Sequence, residues 1–550
     1  MSDEPNKTGE IAYVNGDLHV EDVNLKTLAD DLAVDLEKLP EVDRGATPVY
    51  VYSLAMMKRR YREFKTEMQT IDQDGLICFA VKSLSNQTVL TEFAGWGAGA
   101  DLVTRGELLR AVKAGFAPSK MVFSGLGKTE ADLKEAIALG VQINVESLSE
   151  LELAQVCADG LGRRARVAIR LNPQLDAMRG HLGRITTGKP DSKFGIPWSR
   201  VEERLPSFAT TFRDIDLIGA SVHIGSNLDV EGADAMSFER TFEFLAGPVT
   251  DALAAARERI DPHAGSKAPI IIDVGGGVGI DYEQTPGERS WVEKLPNRNR
   301  SLEPYRKLVQ KSFGELVRGG RVRLVFEPGR FLTGEAGVLL TRVLHVKKET
   351  ERQIPGQIER PTFSVRFLIV DAGMNDFIRP SLYGAYHHIV PVRYAAPDID
   401  NVDICGPVCE TTDSFMRPTS EWLGRSNNLF VDRANRSAIE SDADALLDGD
   451  RKLWGQASTF GEVAPNFEPG TGRRTYEYFV KRRFPQSVKA GDLLAILNAG
   501  AYGAAMSSEY NSRPLVPEVL VDRNRYAVVR PRPLYEDLIN RDCTPVWKGR

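Results

Sequence analysis

Residues 76–86 read LICFAVKSLSN: six apolar residues in a row, then Lys82, then a polar turn. A continuous apolar run of this length, bounded by turn residues, reads as a strand buried on both faces. Seven more such runs follow: GADLV (99–103), MVFSG (121–125), INVES (143–147), VAIRLN (167–172), GASVHIG (219–225), IIIDVGGG (270–277) and RLVFEPG (323–329). Between them lie segments such as TEADLKEAIALG (129–140) and ESLSELELAQVCADG (146–160). Their apolar residues recur at three- and four-residue spacing, as on an amphipathic helix. Strands alternating with helices imply a parallel sheet covered on both faces. Eight such units in succession are what a closed (β/α)8 barrel of the TIM type requires, with an open doubly wound sheet as the alternative.

The pattern changes beyond about Gly337. VLLTRVLHVKKE (338–349) and TFSVRFLIVDAG (362–373) alternate like antiparallel strands, and long helical patterns become scarce. The expected α/β organisation is a barrel over residues 48–336 and a β-rich domain, sandwich-like or barrel-like, from residues 1–47 and 337–550. The strand-like opening IAYVNGDLHVEDVNL (11–25) would return to that second domain. An excursion at about 416–482, rich in Arg, Asp, Ser, Gly and Asn, interrupts it and reads as a surface insertion or a functional segment.

At 550 residues the chain exceeds a typical single domain, in keeping with two units. A balance of 70 Lys+Arg against 76 Asp+Glu argues against a nucleic-acid partner or an anionic-membrane surface. Five scattered cysteines do not make a secreted disulfide framework, and a reducing compartment fits them better. Cys405 and Cys409 have no second Cys/His pair at zinc-site spacing, so no metal is expected. The polar, acidic start MSDEPNKTGE is not a secretory signal, and no apolar run has the length to span a bilayer. The expectation is a cytoplasmic protein.

The polar residues of interest gather at the carboxyl ends of the eight runs, where a barrel of this kind builds its active site. Lys82 follows the first run, Asp101 lies in the second and Ser124 ends the third. Glu146 ends the fourth, and Arg170 and Asn172 end the fifth. His223 lies in the sixth, Gly275, Gly276 and Gly277 close the seventh, and Glu327 ends the eighth. A lysine leaving an apolar strand is costly unless paired or neutralised, and burial makes its amine a nucleophile competent for a Schiff base. A snorkelling lysine is the plain alternative. The glycine run at 275–279 can open backbone amides towards a phosphate, although it lacks dinucleotide spacing and a ligand-free turn is equally open. Glu327-Pro328-Gly329-Arg330 offers a carboxylate able to keep a pyridine nitrogen protonated, then donors for an anion; a salt-bridged turn reads the same way. In SVHIGSN (221–227), His223 can stack on a ring while Ser226 reaches a phosphate, or His223 is a satisfied core residue.

Three more sets lie in the β-rich part. DAGMNDFIRPSLYGAYHH (371–388) places Arg379, a natural bidentate clamp for a carboxylate, four residues before Tyr383 beyond a turn. CGPVCE (405–410) sets Cys409 beside Glu410, whose charge favours a protonated thiol able to donate; an inert buried cysteine is the alternative. AGAYGAAMSSEYNSRP (499–514) places Tyr502 among small residues that allow close backbone approach.

In order, TPVYVY, FAVKS, GADLVTRGEL, VFSGLGKT, INVES, RLNP, SKFGI, HIGSN, DVGGGVGI, EPGR, DAGMNDFIRPSLYGAYH, GPVCE and AGAYG resemble the fold-type III decarboxylases. That family uses pyridoxal 5'-phosphate (PLP) and acts on diaminopimelate, ornithine and arginine. The likeness runs from about Thr47 to the C-terminus, the 416–482 excursion excepted. It implies an alanine-racemase-like barrel joined to a β-sandwich-like domain, assembled as a homodimer. FSGLGKT, DAGMNDFIRP and YNSRP look most like the branch that converts meso-2,6-diaminopimelate to L-lysine and CO2.

By that resemblance Lys82 carries PLP as a Schiff base, His223 stacks on its ring and Glu327 pairs with its nitrogen. Asp101, Ser226, Gly276, Gly277, Gly329 and Arg330 line the cofactor, with Tyr502 near both cofactor and substrate. Arg330, Arg379 and Tyr383 hold the retained carboxylate of the amino-acid substrate. Cys409 and Glu410 come across the dimer interface, Cys409 as proton donor and Glu410 as reader of a substrate ammonium. The family's usual Cys-Glu-Ser is Cys409-Glu410-Thr411 here, which keeps the hydroxyl. Rival readings are a decarboxylase of D-ornithine/D-lysine or L-ornithine/L-arginine, a racemase, or an inactive partner-binding homologue. The first gives Arg379 little to bind, and the last has no need of an electron-sink site.

Overall fold

In the computed structural model the eight apolar runs become eight parallel strands: β1 (Leu76–Ala80), β2 (Gly99–Leu102), β3 (Met121–Phe123), β4 (Gln142–Val145), β5 (Ala165–Asn172), β6 (Ile215–Ser221), β7 (Ile270–Asp273) and β8 (Val322–Phe326). Each pairs in parallel with the next, and β8 returns to β1 with Val325 opposite Leu76 and Phe326 opposite Ile77. That last pairing closes the barrel and rules out the open sheet. Cys78, Val122 and Val325, from β1, β3 and β8, share one buried cluster with Leu76 and Ile271 packed against it. Side chains from non-adjacent strands meeting in this way are the filled interior of a barrel.

The helices between strands start and stop where the sequence provides for it. Arg105–Ala114, Glu130–Leu139 and Leu148–Leu161 open on Thr104, Thr129 and Ser147, each accepting a backbone N–H of the first turn. All three close on a left-handed glycine, Gly115, Gly140 and Gly162. Side-chain caps satisfy donors that a helix end leaves unpaired, and glycine takes the left-handed conformation without steric cost. Short, well-stopped helices return the chain to the same end of the barrel each time. All eight strand ends therefore gather at one mouth.

The residues described are 10–37, 46–173, 192–232, 234–260, 268–282, 301–347, 351–352, 363–364, 366–394, 399–415, 458–460, 464–467, 474–477 and 480–547. The chain divides into two units, Met57–Ile280 with Asn299–Gly334, and Met1–Met56 with Asp281–Arg298 and Glu335–Arg550. In the second unit the long strand Gly337–Lys347 pairs antiparallel with Val49–Ser53 and Leu493–Ile496 through its first half and with Arg366–Val370 through its second. The alternation of 338–349 and 362–373 thus reads correctly as an antiparallel pair. Two other pairs are parallel: Val49–Ser53 with Glu518–Asp522, and Arg366–Val370 with Ile399–Cys405. The opening segment belongs to this second unit. It forms the strands Ile11–Val14, Asp17–Val20 and Val23–Asn24, and Leu18 N–H donates to Val392 O at 2.7 Å. Leu18, Val20, Val51, Val338, Val390 and Val519 lie in one core cluster.

Apart from short strands within 458–482, the 416–482 excursion lies outside the described residues. Among the described residues no helix is long and apolar enough to cross a membrane.

Candidate active site

Lys82 sits in a single turn, Val81–Ser83, immediately after β1. Register puts Ala80 beside Asp101, which brings a four-carbon lysine within reach of that carboxylate: Lys82 Nζ lies 2.8 Å from Asp101 Oδ2. Asp101 is fully buried, whereas the lysine side chain is about one-third exposed at 32%. Pairing with Asp101 is what accommodates this partly buried amine.

Two more acids share the region. Asp273, the last residue of β7, is buried, with its Oδ1 accepting from Gly275 N–H and its Oδ2 from Asn144 Nδ2, both at 3.0 Å. Asn144 also donates to Ser124 Oγ at 3.2 Å, tying the ends of β3, β4 and β7 together. Glu327, just past β8, is buried, and its Oε1 has no hydrogen-bond partner among the described residues. Burial, then the negative charges of Asp101 and Asp273, pushes the Glu327 carboxyl well above the ordinary range; Lys82 pulls it down. Burial raises Asp273 as well, to about 6, and its hydrogen bond with Glu327 opposes the rise. In this pair the proton belongs on Glu327, which donates it to Asp273.

His223 follows β6. Enclosure by the protein, then the positive charges of Lys82 and Arg170, holds its imidazole well below the usual value, so it is neutral near pH 7. Arg170 is clamped by Glu146 at 2.6 Å and lies over the Phe194 ring at 4.9 Å. Glu146 also accepts from Gly125 N–H at 3.1 Å and Gly195 N–H at 3.2 Å. Arg330 Nη2 donates to Ser226 Oγ at 3.0 Å. Gly329 packs against Ala80 and Ser83.

The glycines between β7 and its return are required by packing. A Cβ on Gly276 would stand 2.2 Å from Glu327 O, and one on Gly277, where φ is +100°, 2.5 Å from Gly225 O. A side chain at Gly276 would therefore displace Glu327 itself.

In the β-rich unit the motifs read separately from the sequence interlock. Asp413 accepts from Met374 N–H at 2.6 Å and from Val408 N–H at 2.7 Å, joining the DAGMNDF turn to the loop of Cys409 and Glu410. Arg513, from YNSRP, donates to Asp371 O at 2.6 Å and lies 3.7 Å from Asp376. Arg379 and Tyr383 stand beyond the turn at 374–376 and bound a one-turn helix, Arg379–Tyr383. Arg379 is buried, with its guanidinium 6.0 Å from the Tyr383 ring, 5.4 Å from the Tyr282 ring, and Nε donating to His387 Nε2 at 3.2 Å. Ser381 Oγ donates to Thr412 O at 2.7 Å, linking this helix to the same loop. Cys409 and Glu410 are exposed at its tip, with Thr411 Oγ1 donating to Glu410 Oε1 at 3.3 Å. Tyr502 is half-buried in the left-handed conformation, φ 56°.

Sequence reasoning passed over Asp273, Asn144, Asp413 and His387. A carboxylate ending the apolar run IIID was a signal for the first; the glycines after it drew the attention instead. Nothing local marks the other three, whose partners are distant in the chain.

The barrel end thus offers an amine, a buried carboxyl oxygen awaiting a donor, a neutral imidazole, and a hydroxyl–guanidinium pair suited to an anion. The family described as "Pyridoxal-dependent decarboxylase, pyridoxal binding domain" matches residues 54–334. The chain is 34% identical over 521 residues to the diaminopimelate decarboxylase of Zymomonas mobilis, covering 94% of this chain and 97% of that protein. It is 30% identical over 530 residues to that of Aquifex aeolicus, covering 96% of each. The crystal structure of diaminopimelate decarboxylase from Helicobacter pylori complexed with L-lysine superposes with a TM-score of 0.65 at 28% identity, over 92% of this chain and 98% of that one.

Proposed function

This chain belongs to the pyridoxal-dependent decarboxylase family, among the diaminopimelate decarboxylases, and from that premise we propose that it converts meso-2,6-diaminopimelate to L-lysine and CO2 with pyridoxal 5'-phosphate as cofactor. The observation that carries the reading is the unpartnered, buried Glu327 Oε1 in the same acid cluster as the Lys82–Asp101 pair. A protonated ring nitrogen is the donor that oxygen lacks, and a primary amine nearby suits an aldehyde. The residues therefore fit PLP, which when bound supplies an electron sink for the pair left by departing CO2.

The chain's own groups do the rest. Lys82 holds the cofactor, steadied by Asp101. Facing a protonated ring nitrogen, Glu327 would give up the proton it otherwise shares with Asp273 and, as the carboxylate, keep that nitrogen protonated, while His223, being neutral, would lay its face on the ring without adding charge. Ser226, Gly276, Gly277, Gly329 and Arg330 serve the phosphate. Arg330, Arg379 and Tyr383 hold the retained carboxylate of the amino-acid substrate, with Tyr502 beside substrate and cofactor. Glu410 reads an ammonium of the substrate, and Cys409 donates the proton that replaces CO2. Orientation and charge placement of this kind are the protein's share of such catalysis. Because Cys409 and Glu410 are exposed on the single chain, we assign them to a neighbouring copy's site in a homodimer. All five cysteines are free, in keeping with a cytoplasmic enzyme.

The test is CO2 release by purified, PLP-loaded protein offered meso-diaminopimelate, D-lysine, D-ornithine, L-ornithine and L-arginine in parallel. Strong preference for meso-diaminopimelate, lost in Lys82→Ala, is the expected result. Preference for a substrate without the second carboxylate would sink the assignment and return the chain to the other basic amino-acid decarboxylases.

A further inference from the structure

Arg379 is a buried cation, and something must decide which way its planar fork faces. Its Nε–H points at His387 Nε2, 3.2 Å away. Arginine has no acceptor, so that imidazole nitrogen must present its lone pair. The proton of the ring then sits on Nδ1, where Leu497 O lies 3.0 Å away to receive it. His387 is itself 1% exposed and wedged edge-on between Tyr282, with ring centroids 4.9 Å apart, and Phe377, at 4.5 Å. Tyr282 also faces the Arg379 guanidinium. One imidazole, fixed by a backbone carbonyl and two aromatic rings, thereby fixes the arginine. With Nε–H donated to His387, a carboxylate held by Arg379 would meet its Nη atoms.

We propose that His387 is a positioning residue for substrate specificity, the neutral Nε2 acceptor that aims Arg379 at the retained carboxylate. This rests on the reading of Arg379 as the carboxylate clamp.

His387→Asn and His387→Gln separate the two ends of the ring. Asparagine reaches about as far as Nδ1 and serves the Leu497 side, whereas glutamine reaches the Nε2 position and can still accept from Arg379. The probes are L-lysine, which carries the retained carboxylate, and cadaverine, which does not. Both compete as inhibitors of CO2 release by the PLP-loaded enzyme, with thermal midpoint and cofactor absorbance checked for each variant. His387→Asn is expected to weaken L-lysine inhibition roughly tenfold while leaving cadaverine within about twofold, the scale of one hydrogen bond to a charged group. His387→Gln is expected to keep the L-lysine preference. Equal loss for both ligands in His387→Asn, or the same L-lysine affinity in both variants, would overturn the proposal. Arg379→Ala distinguishes the two failures: if it retains the L-lysine preference, the clamp reading has failed; if it loses the preference while His387→Asn does not, only the role of His387 has.

Discussion

In the barrel, Asp101, Asp273 and Glu327 crowd together so that two of them resist ionisation, with Lys82 as the nearby cation and two carboxyl oxygens, Asp101 Oδ1 and Glu327 Oε1, without a hydrogen-bond partner among the described residues. In the β-rich unit, Asp371 and Asp413 are also buried or partly so, yet each is met by several donors. Asp371 accepts from Thr47 Oγ1, Thr341 Oγ1 and Arg342 N–H, and Asp413 from two backbone N–H groups. Both regions bury charge, but one leaves valency unspent and the other spends it on hydroxyl and backbone donors. Unspent valency suits a ligand. Spent valency suits a scaffold that must hold Arg379, Cys409 and Glu410 on short irregular segments.

Glu327→Gln strikes the first region hardest. It keeps an acceptor oxygen but removes the carboxylate charge that would hold a ring nitrogen protonated, and kcat should fall by roughly 10²–10³, the cost of deleting one preorganised electrostatic partner. The thermal midpoint should hold or rise, because an unfavourable buried acid is gone. A collapse in stability with little loss of turnover would reverse the roles given to the two regions.

Arg513→Ala tests the scaffold. Stripped of its bond to Asp371 O and its charge beside Asp376, the second unit should lose about 2–3 kcal/mol in chemical denaturation. The cofactor's absorbance should stay intact. Loss of PLP binding with unchanged stability would break the contrast.

Acid–base behaviour sharpens it further. Burial first raises Asp273 and Asp376, each to about 6, while hydrogen bonds oppose the rise. A carboxyl whose folded pKa lies above its unfolded value binds more protons in the folded state between the two. Stability therefore falls as pH rises from about 4 through about 6. Asp376→Asn should flatten that fall by a few degrees of Tm across the window, whether or not PLP is present. Asp273→Asn should do so mainly in PLP-free protein, since the cofactor's ring nitrogen gives the acid pair a cation. Melting curves of both variants at pH 4.5 and 7 decide it, and identical PLP dependence would contradict the distinction.

The smallest effect belongs to the barrel's own frame of capped helices. Thr129→Ala removes the cap that accepts from Asp132 N–H, at a cost of about 1 kcal/mol with turnover unchanged.

Legibility followed the same divide. Barrel strands announce themselves because a parallel strand is apolar along its whole length, so the residue at which the run stops, Lys82, Glu146 or Glu327, is visible at once. Closure itself, through Val325 and Leu76, is a long-range pairing that no local pattern carries. In the β-rich unit, DAGMNDF and CGPVCE could be picked out as motifs, but not the bond between Met374 and Asp413 that makes them one structure. Arg379 stands out in the sequence as a candidate, whereas His387 does not, because its partner lies eight residues away around a helix turn and its anchor, Leu497, more than a hundred.

The strand Val49–Ser53 lies between Gly337–Lys347 and Glu518–Asp522, so one of the earliest segments to leave a ribosome is seated by two that emerge late. The barrel's last strand ends at Phe326, and its ring can close well before the other sheet has its members. From residue 53 to residue 518 is on the order of half a minute or more of synthesis at about 5–20 residues per second. Until Gly337–Lys347 has been made VYVYS, buried at every position in the finished protein, is an apolar strand with both edges open, and until Glu518–Asp522 follows one edge stays open. The second sheet therefore cannot seat Val49–Ser53 on both sides until Glu518–Asp522 has been made.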